Sequence, residues 1–275
     1  MKDCVVYLAG NSEDNIKDFY KSLSLLYENY LKTFQCDVVV FHEKEFISKL
    51  PDLIKTFSNI SFKFFEIQFN TPKYPPNIME NIPEYFPHPT HGSGPIAWGH
   101  PGFSLGYRHM CNFFSGELYQ QVGLNDYDYY MRLDTDSYIL KKVTYNVFDM
   151  MRHHDAIYGF IGAAVQIDNS KVVEGLWEYC KKFSDLSEHV KDKLKILNIP
   201  SGKMYYNNFE IGKISWFKGS SYRAFYEYIK ESGGIYTKRW GDAPIRYLGI
   251  NLLLDDCKLI DINNIAYQHG AIYNL

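Results

Sequence analysis

The sequence has little of what would place it outside ordinary globular enzymes. Its five cysteines (Cys4, Cys36, Cys111, Cys180, Cys257) form no Cys-x-x-Cys pair. An odd count cannot pair completely, which argues against a zinc cluster or a dense disulfide framework and for reduced thiols in a reducing compartment. No apolar run approaches the ~20 residues of a spanning helix, and Cys4-Val5-Val6-Tyr7-Leu8 near the start is too short for a signal segment. A basic excess is also missing: 29 Lys and Arg against 32 Asp and Glu leave a formal charge of -3. That balance offers no electrostatic footprint for nucleic acid or an anionic membrane surface. What the chain does have is 275 residues, 46% hydrophobic and 17% aromatic, with 24 Tyr and 19 Phe, enough for one large domain with a substantial core.

The first forty residues alternate between periods. Cys4 to Leu8 is an apolar run, and Ile16, Phe19, Tyr20, Leu23, Leu26, Tyr27 and Tyr30 follow the i, i+3, i+4, i+7 rule of an amphipathic helix. Ser12 stands ready as its N-cap, and Val38 to Phe41 forms the next apolar run. A strand-helix-strand unit of this kind pairs its strands in parallel with a right-handed crossover. Phe62 to Phe69 is a third strand candidate. Residues 71–101 then break the pattern with eight of the eleven prolines, together with His88, His91 and His100. The reading is a functional lid or binding loop, against a meandering surface loop held by Tyr85, Phe86 and Trp98.

Alternation resumes with a helix over 107–119, a strand over 127–133, a helix over 144–153, a strand over 156–165 and a helix over 170–183. A helix over 220–231 stops at Gly233-Gly234, and another starts near Asp242-Ala243-Pro244, with proline in the first turn. No linker, repeat or low-complexity tract interrupts this. The predicted architecture is a single α/β domain over 1–275.

Two Asp-x-Asp sequences lie close together, Asp126-Tyr127-Asp128 and Asp134-Thr135-Asp136. Ligands of open α/β sheets sit beyond the carboxyl ends of strands, and only the second pair follows its strand. Two carboxylates at i and i+2 of an extended segment would face the same way and suit a hard divalent cation bridged to a diphosphate; the competing reading is a pair of solvated turn acids. His269 stands in an apolar setting as either a ligand or a hydrogen-bonded structural residue. Glu210, in Asn208-Phe209-Glu210, is a carboxylate among apolar residues, which on its own reads as a capping or salt-bridged glutamate. Arg108 and Arg132 could neutralise phosphate or pair with a nearby Asp.

Longer motifs add a resemblance. Tyr107-Arg108-His109-Met110-Cys111 with Phe114-Ser115-Gly116, YDYYMRLDTD over 127–136, NNFEIG over 207–212, the 233–244 stretch ending in RWGDAP, and IAYQH over 265–269 occur in order along nearly the whole chain. Together with the opening LAGNS, this set resembles the fungal α-1,2-mannosyltransferase family. The resemblance implies a GT-A fold, a single Rossmann-like nucleotide-binding domain with a mixed, mainly parallel sheet. It implies a GDP-mannose donor, a manganese ion (Mn2+), a glycan or glycoprotein acceptor, and transfer with retention of configuration. By the same resemblance Asp134, Asp136 and His269 are metal residues, Glu210 is the candidate nucleophile, and Asp242 is a catalytic residue near the sugars. Ala9, Asn11, Tyr107, Arg108, Arg132, Asp134 and Asn208 would line the donor site.

Under that resemblance the metal acts as a Lewis acid toward the departing diphosphate, and retention proceeds through a covalent glycosyl-enzyme or a front-face ion pair. Two departures stand out: Asp-Thr-Asp replaces the family's Glu-Pro-Asp, and Gly10 stands where the family usually carries Arg, leaving GDP against UDP open. The alternatives are the same fold with UDP-glucose or UDP-N-acetylglucosamine as donor, or an inactive glycan-binding protein. Acceptor choice is expected in 71–101. The family's usual Golgi anchor is missing from these residues, so the expected location is soluble and cytoplasmic, with the Golgi lumen or a virus as alternatives.

Overall fold

Strand β1 (Asp3–Ala9) shows how the sequence builds the domain. Its side chains alternate in direction, so Val5, Tyr7 and Ala9 enter one core cluster while Cys4 and Val6 enter another. β2 (Asp37–His42) repeats the division, with Val38 and Val40 on the first side and Val39 and Phe41 on the second. A sheet buried on both faces is the result, described here from a computed structural model over residues 2–86, 103–162, 165–168, 170–186, 193, 202–270 and 272–274.

The remaining strands of this sheet are β3 (Phe62–Glu66), β4 (Tyr129–Leu133), β6 (Tyr158–Phe160), β7 (Phe209–Lys213) and β8 (Leu259–Asp261), with β5 (Ser137–Ile139) outside it. The spatial order is β8-β6-β7-β4-β1-β2-β3. The pairs β1·β2, β2·β3, β1·β4 and β6·β8 are parallel, while β7 runs antiparallel to both of its neighbours. The sheet is therefore mixed and mainly parallel, as expected.

Helix α1 (Glu13–Leu26) begins where its cap was expected: Ser12 Oγ accepts the Asn15 amide at 3.2 Å. Its last turn passes into a π-helical turn, Tyr27–Leu31. α2 (Leu50–Thr56), α3 (Leu105–Ser115), α4 (Val147–His153), α5 (Leu176–Leu186), α6 (Ser220–Glu231) and α7 (Asp242–Leu253) complete the larger helices. Gly233 takes φ +70° after α6, the left-handed stop that glycine makes without strain. The long strand expected over 156–165 is shorter, because Ile161 and Gly162 leave the sheet and a separate strand starts at Val165.

A smaller antiparallel sheet matters most for the site. β9 (Tyr267–His269) lies between β5 and β10 (Ile272–Asn274), with His269 opposite Ser137. Gly270, at φ +54°, makes the turn between β9 and β10. Of the proline-rich segment, 71–86 contains a helical turn at Pro76–Met79, so regular structure does survive there, and Tyr85–Phe86 pairs with Phe103–Ser104. The three histidines and Trp98 lie outside the described residues, as does the remainder, 87–101, of the 71–101 stretch expected to act as a lid.

Candidate active site

The two Asp-x-Asp pairs lie at opposite ends of β4. Asp128 sits before β4, where its carbonyl accepts the Ile214 amide, and Asp134-Thr135-Asp136 follows β4 at the carboxyl end. The segment is not extended, however. The Ser137 amide returns to the Asp134 carbonyl at 2.9 Å and closes a tight turn. Convergence comes instead from the β5–β9 register, which sets His269 beside the turn.

His269 Nε2 lies 3.0 Å from Asp136 Oδ1. One ligand atom each from Asp134, Asp136 and His269 lies within 4.8 Å of the others. The set offers two carboxylate oxygens and an imidazole nitrogen, a combination that suits manganese or a similar divalent ion. On the far side of the ring, His269 Nδ1 is 2.8 Å from the Tyr206 hydroxyl, which can donate or accept and so accommodate either tautomer. Burial, with Asp136 and Asp134 nearby, pushes the Tyr206 hydroxyl up to about 12. Burial pulls the pKa of His269 down, but the hydrogen bond and charge of Asp136 outweigh it and hold the ring above its ordinary value. For Asp136, burial acts upward and is overcome by the same His269 contact, leaving the carboxyl below its usual range. Asp134 stays above it, because burial exceeds the help of Arg132.

These residues line a cleft of about 660 Å³, together with Tyr107, Arg132, Asn208 and Asp242. Arg132 is buried and committed. Its Nε and Nη2 donate to the two oxygens of Asp134 at 2.8 and 3.2 Å, and its Nη1 donates to Asp242 Oδ2 at 2.6 Å. Its guanidinium stacks 3.4 Å from the Phe114 ring. Asn208 donates to Asp134 Oδ2 at 2.5 Å, and Asn207 to Asp242 Oδ2 at 3.0 Å. Of the two partners open to Arg132, phosphate or carboxylate, the structure shows it with two carboxylates.

Two of the expected site residues lie away from the cleft lining. Glu210 does not line the cleft: it is fully buried, Tyr130 and Tyr158 donate to it at 2.7 and 2.9 Å, and Arg246 donates at 3.0 and 3.3 Å. A carboxylate enclosed by two phenols and a guanidinium is a support behind the cleft wall, and in this geometry it does not present an oxygen to a sugar. Arg108 likewise turns away. It is fully buried and binds backbone carbonyls of Pro83, Glu84, Ser104 and Tyr236, because α3 directs it into the loops that cover it. It is a strap for those loops and reaches no part of the cleft.

Ala9 and Asn11 are also not part of the lining. Leu8 and Asn15 are, with Asn15 Oδ1 accepting the Gly10 amide at 2.9 Å. The side chains not assigned from sequence are Arg246, Asn207 and Arg239. Arg246 had a readable signal, since it lies four residues after Asp242 and therefore on the same helix face. Facing that pair are Arg132 and Glu210, directly opposed across β4 and β7. The helix thus presents Asp242 and Arg246 to Arg132 and Glu210, each charge meeting its opposite.

A mainly parallel α/β sheet with an acidic turn at the carboxyl end of a central strand, completed by a histidine from the last hairpin, is the GT-A glycosyltransferase architecture. The chain belongs to the glycolipid 2-α-mannosyltransferase family, whose model matches residues 1–275. It is 27% identical over 282 residues to glycolipid 2-α-mannosyltransferase 1 of Candida albicans, covering 100% of this chain and 64% of that protein. To the probable mannosyltransferase KTR3 of Saccharomyces cerevisiae it is 26% identical, covering 98% of this chain and 66% of the relative. The chain thus spans about two thirds of the length of these curated relatives. Among solved structures, the mannosyltransferase Ktr4p from S. cerevisiae in complex with GDP matches with TM-score 0.80 and 25% identity, over 99% of this chain and 72% of that one. Core-mannan synthase A from Aspergillus fumigatus, in its Mn/GDP form, shares the fold with TM-score 0.80 at 22% identity, over 100% and 76% of the two chains.

Proposed function

We propose that the cleft transfers mannose from GDP-mannose to a hydroxyl of a glycan or sugar, with retention of configuration and with a divalent metal ion. The observation that carries this reading is the Asp134, Asp136 and His269 group at the carboxyl end of β4, in a chain of this family. Support comes from the relatives: one structure of this shape was solved with GDP and another in an Mn/GDP form. Bound by Asp134, Asp136 and His269, the ion would supply Lewis-acid stabilisation of the departing diphosphate.

The chain's own residues supply the rest. Arg132 holds Asp134 and Asp242 at once, so neither carboxylate needs to reorganise when a ligand enters. Asp242 is the catalytic carboxylate that faces the cleft, and it orients the acceptor hydroxyl. With Glu210 sealed behind Arg132, the front-face route fits better than a glycosyl-enzyme. The bond from the anomeric carbon to the phosphate oxygen breaks with its electron pair leaving on the phosphate. The acceptor oxygen bonds the anomeric carbon on the same face, and its proton passes to that phosphate oxygen. Tyr107, a cleft-lining aromatic, offers an apolar face to a sugar ring.

The test is turnover of a donor panel, GDP-mannose, UDP-glucose and UDP-N-acetylglucosamine, with manganese and a mannoside acceptor. GDP-mannose should be consumed fastest and yield an α-linked product. Faster use of a UDP sugar would replace the donor assignment, and binding of glycans without turnover of any donor would leave a glycan-binding protein. Among the described residues no helix is long and apolar enough to cross a membrane.

A further inference from the structure

With Arg108 turned away and Arg132 held by two carboxylates, one cleft guanidinium has no carboxylate among the described residues. Arg239 lines the cleft with Asp134, Asp136 and His269, yet it is only 8% exposed. Its Nε and Nη1 are buried and have no hydrogen-bond partner among the described residues. Nη2 alone donates, to the Tyr107 hydroxyl at 3.3 Å, and the guanidinium stacks 3.4 Å from the Phe103 ring. A buried charge with unpaired donors is costly unless something completes it.

The neighbouring backbone points to the same ligand chemistry. Arg239 immediately precedes Trp240 and Gly241, and Gly241 caps α7, a helix of 12 residues, without any side-chain cap. Gly241, Asp242, Ala243 and Pro244 all line the cleft, so the positive end of α7 opens into it. The one carboxylate in that first turn, Asp242, is already hydrogen-bonded by Arg132 and Asn207. Arg239 holds φ +61°, an uncommon conformation for a side-chain-bearing residue.

We infer that Arg239 and the first turn of α7 form the anion contact for a phosphate group of a ligand in this cleft. The inference rests on the reading of the cleft as a nucleotide-sugar site. Two sources of that phosphate are separable: the diphosphate of the nucleotide, or a phosphate carried by the acceptor.

The experiment titrates wild-type protein, Arg239→Lys and Arg239→Met with GDP plus manganese, with inorganic pyrophosphate plus magnesium, and with mannose 6-phosphate against mannose. Melting of the ligand-free proteins is recorded in parallel. Methionine keeps much of the aliphatic packing and removes the unpaired charge. Arg239→Met should therefore melt no lower than wild type while losing tenfold or more in affinity for GDP and pyrophosphate, and Arg239→Lys should lose threefold or less. Loss confined to mannose 6-phosphate would keep the phosphate contact and assign it to the acceptor. Unchanged affinity for all three phosphate probes would overturn the inference. So would lower melting of Arg239→Met with affinity intact, and so would failure of wild type to bind any of the probes. Pyrophosphate binding that depends on Arg239 in a protein that ignores GDP would sustain the inference and sink the nucleotide-sugar reading instead.

Discussion

Two ion-pair clusters sit side by side on the same face of the sheet and behave as different materials. In the inner one, Glu210 and Arg246 are both fully buried and surrounded by Tyr119, Tyr130, Tyr158 and Tyr222. Every oxygen of the carboxylate is accounted for. In the outer one, the same kinds of residue line a cleft: Asp136 and His269 are part-exposed, and Asp134 is shared between Arg132 and Asn208. The sealed cluster holds the fold, whereas the open one keeps binding capacity in reserve. A buried carboxylate in a family motif is thus not by itself a reacting group; what its oxygens already touch decides that.

The comparison can be broken most sharply at Glu210. Glu210→Gln leaves the Arg246 charge buried and unpaired, which should cost about 3–5 kcal/mol of stability, read as a lower urea midpoint with an unchanged slope. Full stability with abolished transfer would return Glu210 to the reacting groups. His269→Ala, in contrast, should leave the midpoint nearly unmoved and weaken manganese-dependent GDP binding by about a hundredfold, as loss of a metal ligand or its support does. A titration that did not shift would remove His269 from the site.

The pH dependence sharpens the same contrast. The raised pKa of His269 means that its charged pairing with Asp136 stabilises the metal-free protein below the unfolded value near 6.5, and that this contribution disappears as pH rises through the folded value. A metal needs the unprotonated nitrogen, so manganese affinity should increase in that same window, by about tenfold per pH unit below the folded pKa. Manganese titrations at several pH values check this, and a flat profile would contradict the assignment. The smallest effect is expected from Tyr206→Phe. Losing the hydroxyl that orients His269 Nδ1 should weaken metal binding by up to about tenfold without lowering the urea midpoint.

Much of the frame is readable in the sequence itself. The alternation of Cys4 to Leu8 and the helical spacing from Ile16 onward follow from the two side-chain periods, and Ser12 and Gly233 act at helix ends for local reasons. Strand direction singles out Asp134 and Asp136 as the candidate acids, and the family resemblance adds His269; the structure brings the three together. The directions of Arg108 and Glu210 are not legible there, because a side chain's partners come from distant segments: Pro83 and Tyr236 for one, Tyr158 and Arg246 for the other. At Asp134-Thr135-Asp136 the sequence offers both an extended segment and a turn; the turn forms through the local Ser137-to-Asp134 hydrogen bond, whereas the pairing of His269 depends on β9, almost half the chain away.

That last separation has a consequence for assembly of the protein. Asp134 and Asp136 belong to the centre of the chain and His269 to its final hairpin, which joins the rest of the fold through the pairing of β9 with β5. An ion shared by the three would act as a clasp over a very long loop, a closure that costs little more entropy than a short one. The order of the Tyr267–His269 strand would then be tied to cofactor loading, so that protease susceptibility at this strand reports metal occupancy directly.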